Sequence, residues 1–142
     1  MEDALIIEQL ADDIHVLAVC DGHGGPEVAH LIAKSLPSTL KTDTDFKSGN
    51  YRQAIVSTFK KLDELICSQR GEEQLRSLNK SLSGKPLSPD DKIGYRAGTT
   101  CIIMLITKDK YIVGNIGDSR AVLSRNHQAV ALSEDHKPDL PA

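Results

Sequence analysis

An unbroken apolar run, Val16-Leu17-Ala18-Val19-Cys20, stops abruptly at Asp21-Gly22-His23-Gly24-Gly25, and Pro26 then opens a helical pattern. A strand that delivers a carboxylate into a glycine-rich turn fixes much of what can surround it. The acid must be paired or ligated, because an unpartnered charge closing a buried strand is costly. The glycines let backbone approach closely or take positive φ, and the helix N-terminus supplies unpaired N–H groups and a positive dipole end suited to an anion. His23 exchanges protons readily near neutral pH. Metal, anion and proton donor within five residues point to phosphate chemistry.

Two strands are predicted before this turn, Ala4 to Leu10 and Ile14 to Asp21, joined around Ala11-Asp12-Asp13. Pro26 with Val28, Ala29, Ile32 and Leu36 predicts a short amphipathic helix ending before Pro37. Asn50 and Gln53 resemble a capping box ahead of Ile55, Phe59, Leu62 and Ile66, a helical stripe reaching Cys67. Ser68 to Lys92 is polar, with a short helix over residues 72–78 and an exposed loop at Ser83-Gly84-Lys85-Pro86. From Thr99 the pattern is β. Strands at Thr100 to Thr107 and Lys110 to Ile116 flank Lys108-Asp109, and Ala121 to Arg125 and Gln128 to Leu132 flank Asn126-His127. Strand runs with grouped helices predict an α+β fold of mainly antiparallel sheet.

Hairpin geometry then places the acids. A turn centred near Asp12 sets Asp3 opposite Asp21 and Glu2 opposite Gly22. A turn centred near Asp109 sets Asp118 opposite Thr100, and the Asn126-His127 turn brings Asp135 near Asp118. Two hairpins thus end in acidic clusters, as neighbours in a sandwich. Carboxylates with a Gly22 carbonyl suit Mg²⁺ or Mn²⁺, which take oxygen ligands. Spacing alone also allows a plainer reading: Glu2 and Asp3 as solvated surface charges, Asp118 as a turn residue, and His15, His30 and His127 as ordinary histidines.

The 142 residues suit one domain, and a net charge of −3 with no basic block argues against nucleic-acid or membrane partners. The longest apolar run, Ile102 to Ile106, is too short to span a bilayer, and Glu2 and Asp3 do not make a signal-peptide start. Cys20, Cys67 and Cys101 lack CxxC spacing and read as reduced, mostly buried thiols of an intracellular protein.

Met1-Glu2-Asp3-Ala4, Asp21-Gly22-His23-Gly24-Gly25, Gly98-Thr99-Thr100, Gly117-Asp118-Ser119-Arg120 and Asp135-His136-Lys137-Pro138 occur in the order seen in metal-dependent Ser/Thr protein phosphatases of the 2C type, which the chain resembles throughout. The resemblance implies an α/β sandwich of two antiparallel sheets flanked by helices, in four layers. It also implies a binuclear Mg²⁺/Mn²⁺ centre, with a possible third ion, activating water against phosphorus. By position, Asp21 would bridge the metals, the Gly22 carbonyl would ligate one, and Glu2 and Asp3 would hold the centre. Asp118 would bind the further metal beside Thr100, and His23 would be the general acid for the departing serine or threonine oxygen. Arg120 and Asp135-His136 are assigned to loop structure. The family's phosphate-gripping Arg precedes the Met-Glu-Asp-Ala run, and further Asp ligands follow the Asp-His-Lys-Pro run. The expectation is therefore a partial catalytic domain over 1–142, lacking the first strand region and the C-terminal half. It would act on a phosphoprotein in the cytoplasm or nucleus, as a monomer if complete. A non-catalytic, pseudophosphatase-like interaction module is the alternative, and Ser68 to Lys92 is the segment expected to meet substrates or partners.

Overall fold

The computed structural model describes residues 1–84 and 86–137. Four strands build the main sheet: β1 (Ala4–Ala11), β2 (Ile14–Cys20), β5 (Cys101–Ile106) and β6 (Tyr111–Ile116), in the order β1-β2-β5-β6, every pair antiparallel. Two short ribbons join β3 (Gly22–His23) to β4 (Gly98–Thr99) and β7 (Val122–Arg125) to β8 (Gln128–Ala131). The helices are α1 (Glu27–Thr42), α2 (Thr44–Lys47), α3 (Tyr51–Cys67), α4 (Gln69–Leu82) and α5 (Ile93–Arg96). The predicted α+β, mainly antiparallel class is what the chain adopts.

Side-chain alternation sorts the main sheet into two unlike faces. Ile6, Val16, Ala18, Cys20, Cys101, Ile103 and Leu105 are buried, in one core with Val28, Leu31, Ile32, Leu36 and Leu40 of α1 and Ile55 and Leu62 of α3. The opposite face carries Leu5, Ile7 and Val19, 68%, 80% and 41% exposed, beside Leu17, Ile102 and Met104. The predicted helical stripes thus lie on the sheet. The ends of the two acidic hairpins are neighbours, as expected, and lie within one sheet. Strands β2 and β5 pair directly, Val19 opposite Ile102, so both hairpins belong to one sheet.

Register follows the hairpin arithmetic at two turns and departs at the third. In β1–β2, Ala4 lies opposite Cys20, which sets Asp3 against Asp21 one step on. In β7–β8, Arg125 pairs with Gln128 across Asn126 and His127, both at positive φ as a tight hairpin turn requires. In β5–β6, Cys101 pairs with Ile116, one residue off the predicted alignment. The Thr107 amide donates to the Lys110 carbonyl at 2.8 Å, so the turn is centred between Lys108 and Asp109. Continued by one residue, this register sets Gly117, not Asp118, against Thr100.

The helices depart more. Helix α1 does not stop before Pro37 but runs through it to Thr42. An internal proline costs about 3 kcal/mol or more, yet the fully buried Leu40 extends the stripe past it, contributing about 1.5–3 kcal/mol by burial. Asn50 precedes α3 without a capping box: its side chain donates to Asp45 Oδ1 at 3.2 Å instead. Helix α4 is twice the predicted length, because Ser68 Oγ caps its N-terminus, accepting from the Gly71 amide at 3.0 Å, and Leu75 is fully buried. The helix packs through Gly71, Leu75 and Asn79, while most of the other described residues from Ser68 to Lys92 are exposed, as expected. The loop after it is pinned by Arg76, which donates to the carbonyls of Ser88, Pro89 and Asp91. Lys85 of the predicted exposed loop, and Pro138 of the last motif, lie outside the described residues.

Candidate active site

Antiparallel order decides where the site can be. The start of β1, the end of β2, the start of β5 and the end of β6 all fall at one end of the sheet, so Asp3, Asp21, Thr100 and Gly117-Asp118-Ser119 emerge together. Hydrogen bonds stitch these ends. The Thr100 amide donates to the Asp21 carbonyl at 2.9 Å, the Asp21 amide contacts Thr100 Oγ1 at 3.4 Å, and Thr100 Oγ1 shares a 2.6 Å hydrogen bond with Ser119 Oγ. Gly117, at φ +94°, lies so close to Thr100 that a Cβ there would come within 2.7 Å of its methyl group. The predicted proximity of Asp118 to Thr100 thus arises through the two residues that flank Asp118.

The glycine-rich turn is shaped by close approach as much as by positive φ. A Cβ on Gly22 would sit 2.3 Å from the Glu2 carbonyl oxygen, so Glu2 lies against Gly22 as the hairpin reading predicts. Gly24 and Gly25 adopt φ of +73° and +138°. Glu2 Oε2 accepts from the Gly25 amide at 3.2 Å. The Gly25 amide is thus taken by this chain's own Glu2 carboxylate, and Pro26 at the N-cap has no amide to offer an anion. Beyond the turn, β3 pairs with β4, His23 opposite Gly98. The His23 ring lies over Gly98, where a Cβ would be 2.6 Å from Nε2.

Glu2, Asp3, Asp21, His23 and Asp118 are all exposed. Among the described residues, the carboxylates of Asp3, Asp21 and Asp118 accept no hydrogen bond. No three His, Cys, Asp or Glu side chains among the described residues gather closely enough to hold a metal ion. The predicted acidic clusters are therefore present as neighbouring strand ends around Asp21, not as a closed cage. The donor chemistry still fits a hard divalent cation: the candidates are oxygen ligands, and the central one is left free of protein partners.

Other charges nearby are already neutralised. Asp135 forms a two-pronged pair with Arg120, at 2.9 Å from Nε and 2.8 Å from Nη2. The Arg120 hydrogen bonds hold its carboxyl below the usual range despite opposing desolvation, and Lys137 adds to the effect. The Gly117 carbonyl accepts from the His136 amide at 2.9 Å, so Asp135-His136 closes the loop behind Asp118, in line with a loop role.

Sequence reasoning passed over several residues here. Asn115 Nδ2 bridges the carbonyls of Gly117 and Glu134, and its place inside a strand gave no sign of this. Glu27, 1% exposed, accepts through Oε1 from Asn79 Nδ2 at 2.8 Å and Ser83 Oγ at 3.0 Å, tying α4 to the start of α1 beside Gly25. Burial pushes its carboxyl up, but the bonds from Asn79, its own amide and Ser83, with the charge of Arg96, outweigh this and hold it low. Read from sequence, Glu27 is only a first-turn acid. Ser119 stood inside a quoted motif without a role.

Comparison with known proteins places the chain in a family. The family model described as Protein phosphatase 2C matches residues 1–142. The chain belongs to the protein phosphatase 2C family. "Protein phosphatase 2C 1" of Paramecium tetraurelia is 38% identical over 142 residues, covering 99% of this chain and 44% of that protein. "Probable protein phosphatase 2C 21" of Oryza sativa subsp. japonica is 39% identical over 150 residues, covering 97% of this chain and 43% of its own length. The chain thus spans less than half the length of these protein phosphatase 2C relatives. The fold is also that of a serine/threonine phosphatase, Stp1 from Staphylococcus aureus, with a TM-score of 0.68 at 20% identity, over 95% of this chain and 48% of that one.

Proposed function

We propose that the chain is part of a Mg²⁺- or Mn²⁺-dependent protein serine/threonine phosphatase, a partial catalytic domain whose metal-facing edge is the Asp21 end of the main sheet. The observation that carries this is the meeting of four strand ends at an Asp21 carboxylate that no described protein group occupies, although the backbone on both sides of it is tied to Thr100. Asp21, the Gly22 carbonyl, Glu2, Asp3 and Asp118 would hold the cations. When bound, such ions make water a nucleophile at neutral pH and draw charge from phosphoryl oxygens.

The chain's own residues would do the rest. Asp21 supplies negative charge at the fixed end of β2. The hydrogen-bonded seam of Thr100 and Ser119 holds the β5 and β6 ends in register with it. His23, standing in solvent over Gly98, would give its ring proton to the serine or threonine oxygen as the P–O bond breaks. Its short pairing with β4 holds the ring against Gly98 without burying it, as a group that must meet a protein substrate requires. The substrate class is a phosphoprotein. No helix among the described residues is long and apolar enough to cross a membrane.

The test is phosphate release from a phosphothreonine peptide with Mn²⁺, with chelator, and in His23→Ala, for this chain and for a form extended at both ends. The proposal expects release in the extended form, abolished by chelator and reduced about 10²–10⁴-fold in His23→Ala. Release that survives both changes overturns it. One observation favours the second reading, a non-catalytic interaction module: the acids around Asp21 are neighbours without being a closed set. An extended form that folds but neither binds Mn²⁺ nor releases phosphate would establish that reading.

A further inference from the structure

Cys20 is the last residue of β2 and Cys101 the first of β5. Continuing the β2–β5 register one step past Val19 and Ile102 sets them opposite each other, and their sulfurs are 3.8 Å apart. Both side chains are buried, at 0% and 1% exposure, on the helix-covered face. In an antiparallel ladder, pairs that exchange backbone hydrogen bonds alternate with pairs that do not. The Thr100 amide donates to the Asp21 carbonyl, which puts Asp21 and Thr100 at a hydrogen-bonding position of the ladder and Cys20 with Cys101 at the other kind. There Cα atoms stand about 4.5 Å apart with side chains close, inside the span of about 4.4–6.8 Å that a disulfide bridges. Cys67 is exposed at the C-terminal end of α3 and has neither cysteine as a partner.

We propose that Cys20 and Cys101 are a redox-sensitive dithiol that closes to a cross-strand disulfide under hydroperoxide. One sulfur attacks a peroxide oxygen and the O–O bond breaks. The leaving oxygen departs as water or alcohol with the first thiol's proton, and a sulfenic acid remains. The second sulfur attacks that sulfenic sulfur, the S–O bond breaks, and the hydroxyl leaves as water with the second thiol's proton. The pair loses two electrons, which reduce one hydroperoxide. Starting from 3.8 Å, the sulfurs approach by roughly 1.8 Å to reach bonding distance. Closure therefore pulls on the residues next in line, Asp21 and Thr100. Burial slows entry of the oxidant. The same burial then shields the product from reductants.

The test treats the whole chain with hydrogen peroxide under native conditions, then unfolds it, alkylates it and maps the peptides by mass. The Cys20 peptide is expected joined to the Cys101 peptide, separating on reduction with dithiothreitol, and equally so in Cys67→Ser, which leaves the buried pair untouched. Three results overturn the proposal: both buried thiols fully alkylated at peroxide levels that oxidise Cys67, separate sulfinic acids on Cys20 and Cys101, or a disulfide to Cys67. Because the readout is a covalent bond, it stands or falls independently of phosphatase activity.

Discussion

Asp43 and Asp21 are two carboxylates placed in opposite circumstances by the same fold. Asp43, between α1 and α2, is 3% exposed. It accepts from the Asp45 amide at 2.9 Å, from Ser57 Oγ at 2.7 Å and from Lys61 Nζ at 2.5 Å. The Lys61 and Ser57 hydrogen bonds, against desolvation, hold its carboxyl down at about 2. Asp21, at the end of β2, is exposed, and among the described residues its carboxylate has no partner at all. One acid is spent on joining three helices; the other is held in place through its backbone while its side chain is left open. A carboxylate that the fold positions but does not satisfy is open to a cation, and the proposed metal edge rests on this contrast more than on the number of acids.

The largest effect expected from breaking the contrast is at Asp21. In an extended, active form, Asp21→Asn should remove phosphopeptide hydrolysis almost entirely. Its cost in Mn²⁺ affinity should exceed the about 10–100-fold typical of losing an outer-shell partner. The melting temperature should hold or rise, since no protein bond to the side chain is lost. Asp43→Ala should do the reverse: calorimetric melting falls by several degrees as the α2 cap and the Lys61 pair are lost, while Mn²⁺ binding by the folded protein is unchanged.

Acid should reveal the same asymmetry. Asp43 titrates lower folded than unfolded, so its contribution to stability is fully present above the unfolded value, about 3.9. It is lost as pH falls from there through about 2. Urea midpoints measured across that window should fall with pH in the wild type, and fall less in Asp43→Asn. A smaller, local effect belongs to Gly98→Ala, whose Cβ would meet the His23 ring: turnover should drop with little change in melting. Smallest of all should be Arg120→Ala, because its pair with Asp135 is 60% exposed on the arginine side and screened by solvent. A melting shift as large as that of Asp43→Ala would contradict this ranking.

How much of this was legible in sequence depends on range. The β1–β2 and β7–β8 registers could be read because a short turn fixes both the pairing and the face each residue takes. One residue of uncertainty at Lys108-Asp109 was enough to exchange Asp118 for Gly117 opposite Thr100. The pairing of Gly22–His23 with Gly98–Thr99 could not be read, since two residues carry no periodicity and their partners lie far apart in the chain. Pro37 and α4 misled for a related reason. Local propensity ended one helix and shortened the other, whereas burial of Leu40 and Leu75 decided both. Asp21, Glu2 and His23 could be singled out as candidates because glycines and strand ends leave local marks. Asn115 and Glu27 leave none, as their partners come from other elements.

The most direct measurement is a calorimetric Mn²⁺ titration of the extended form, comparing the wild type with Asp21→Asn and Asp43→Asn. The account predicts binding in the wild type and in folded Asp43→Asn, and a loss of more than about 100-fold in Asp21→Asn. Equal Mn²⁺ affinity in the wild type and Asp21→Asn would contradict it.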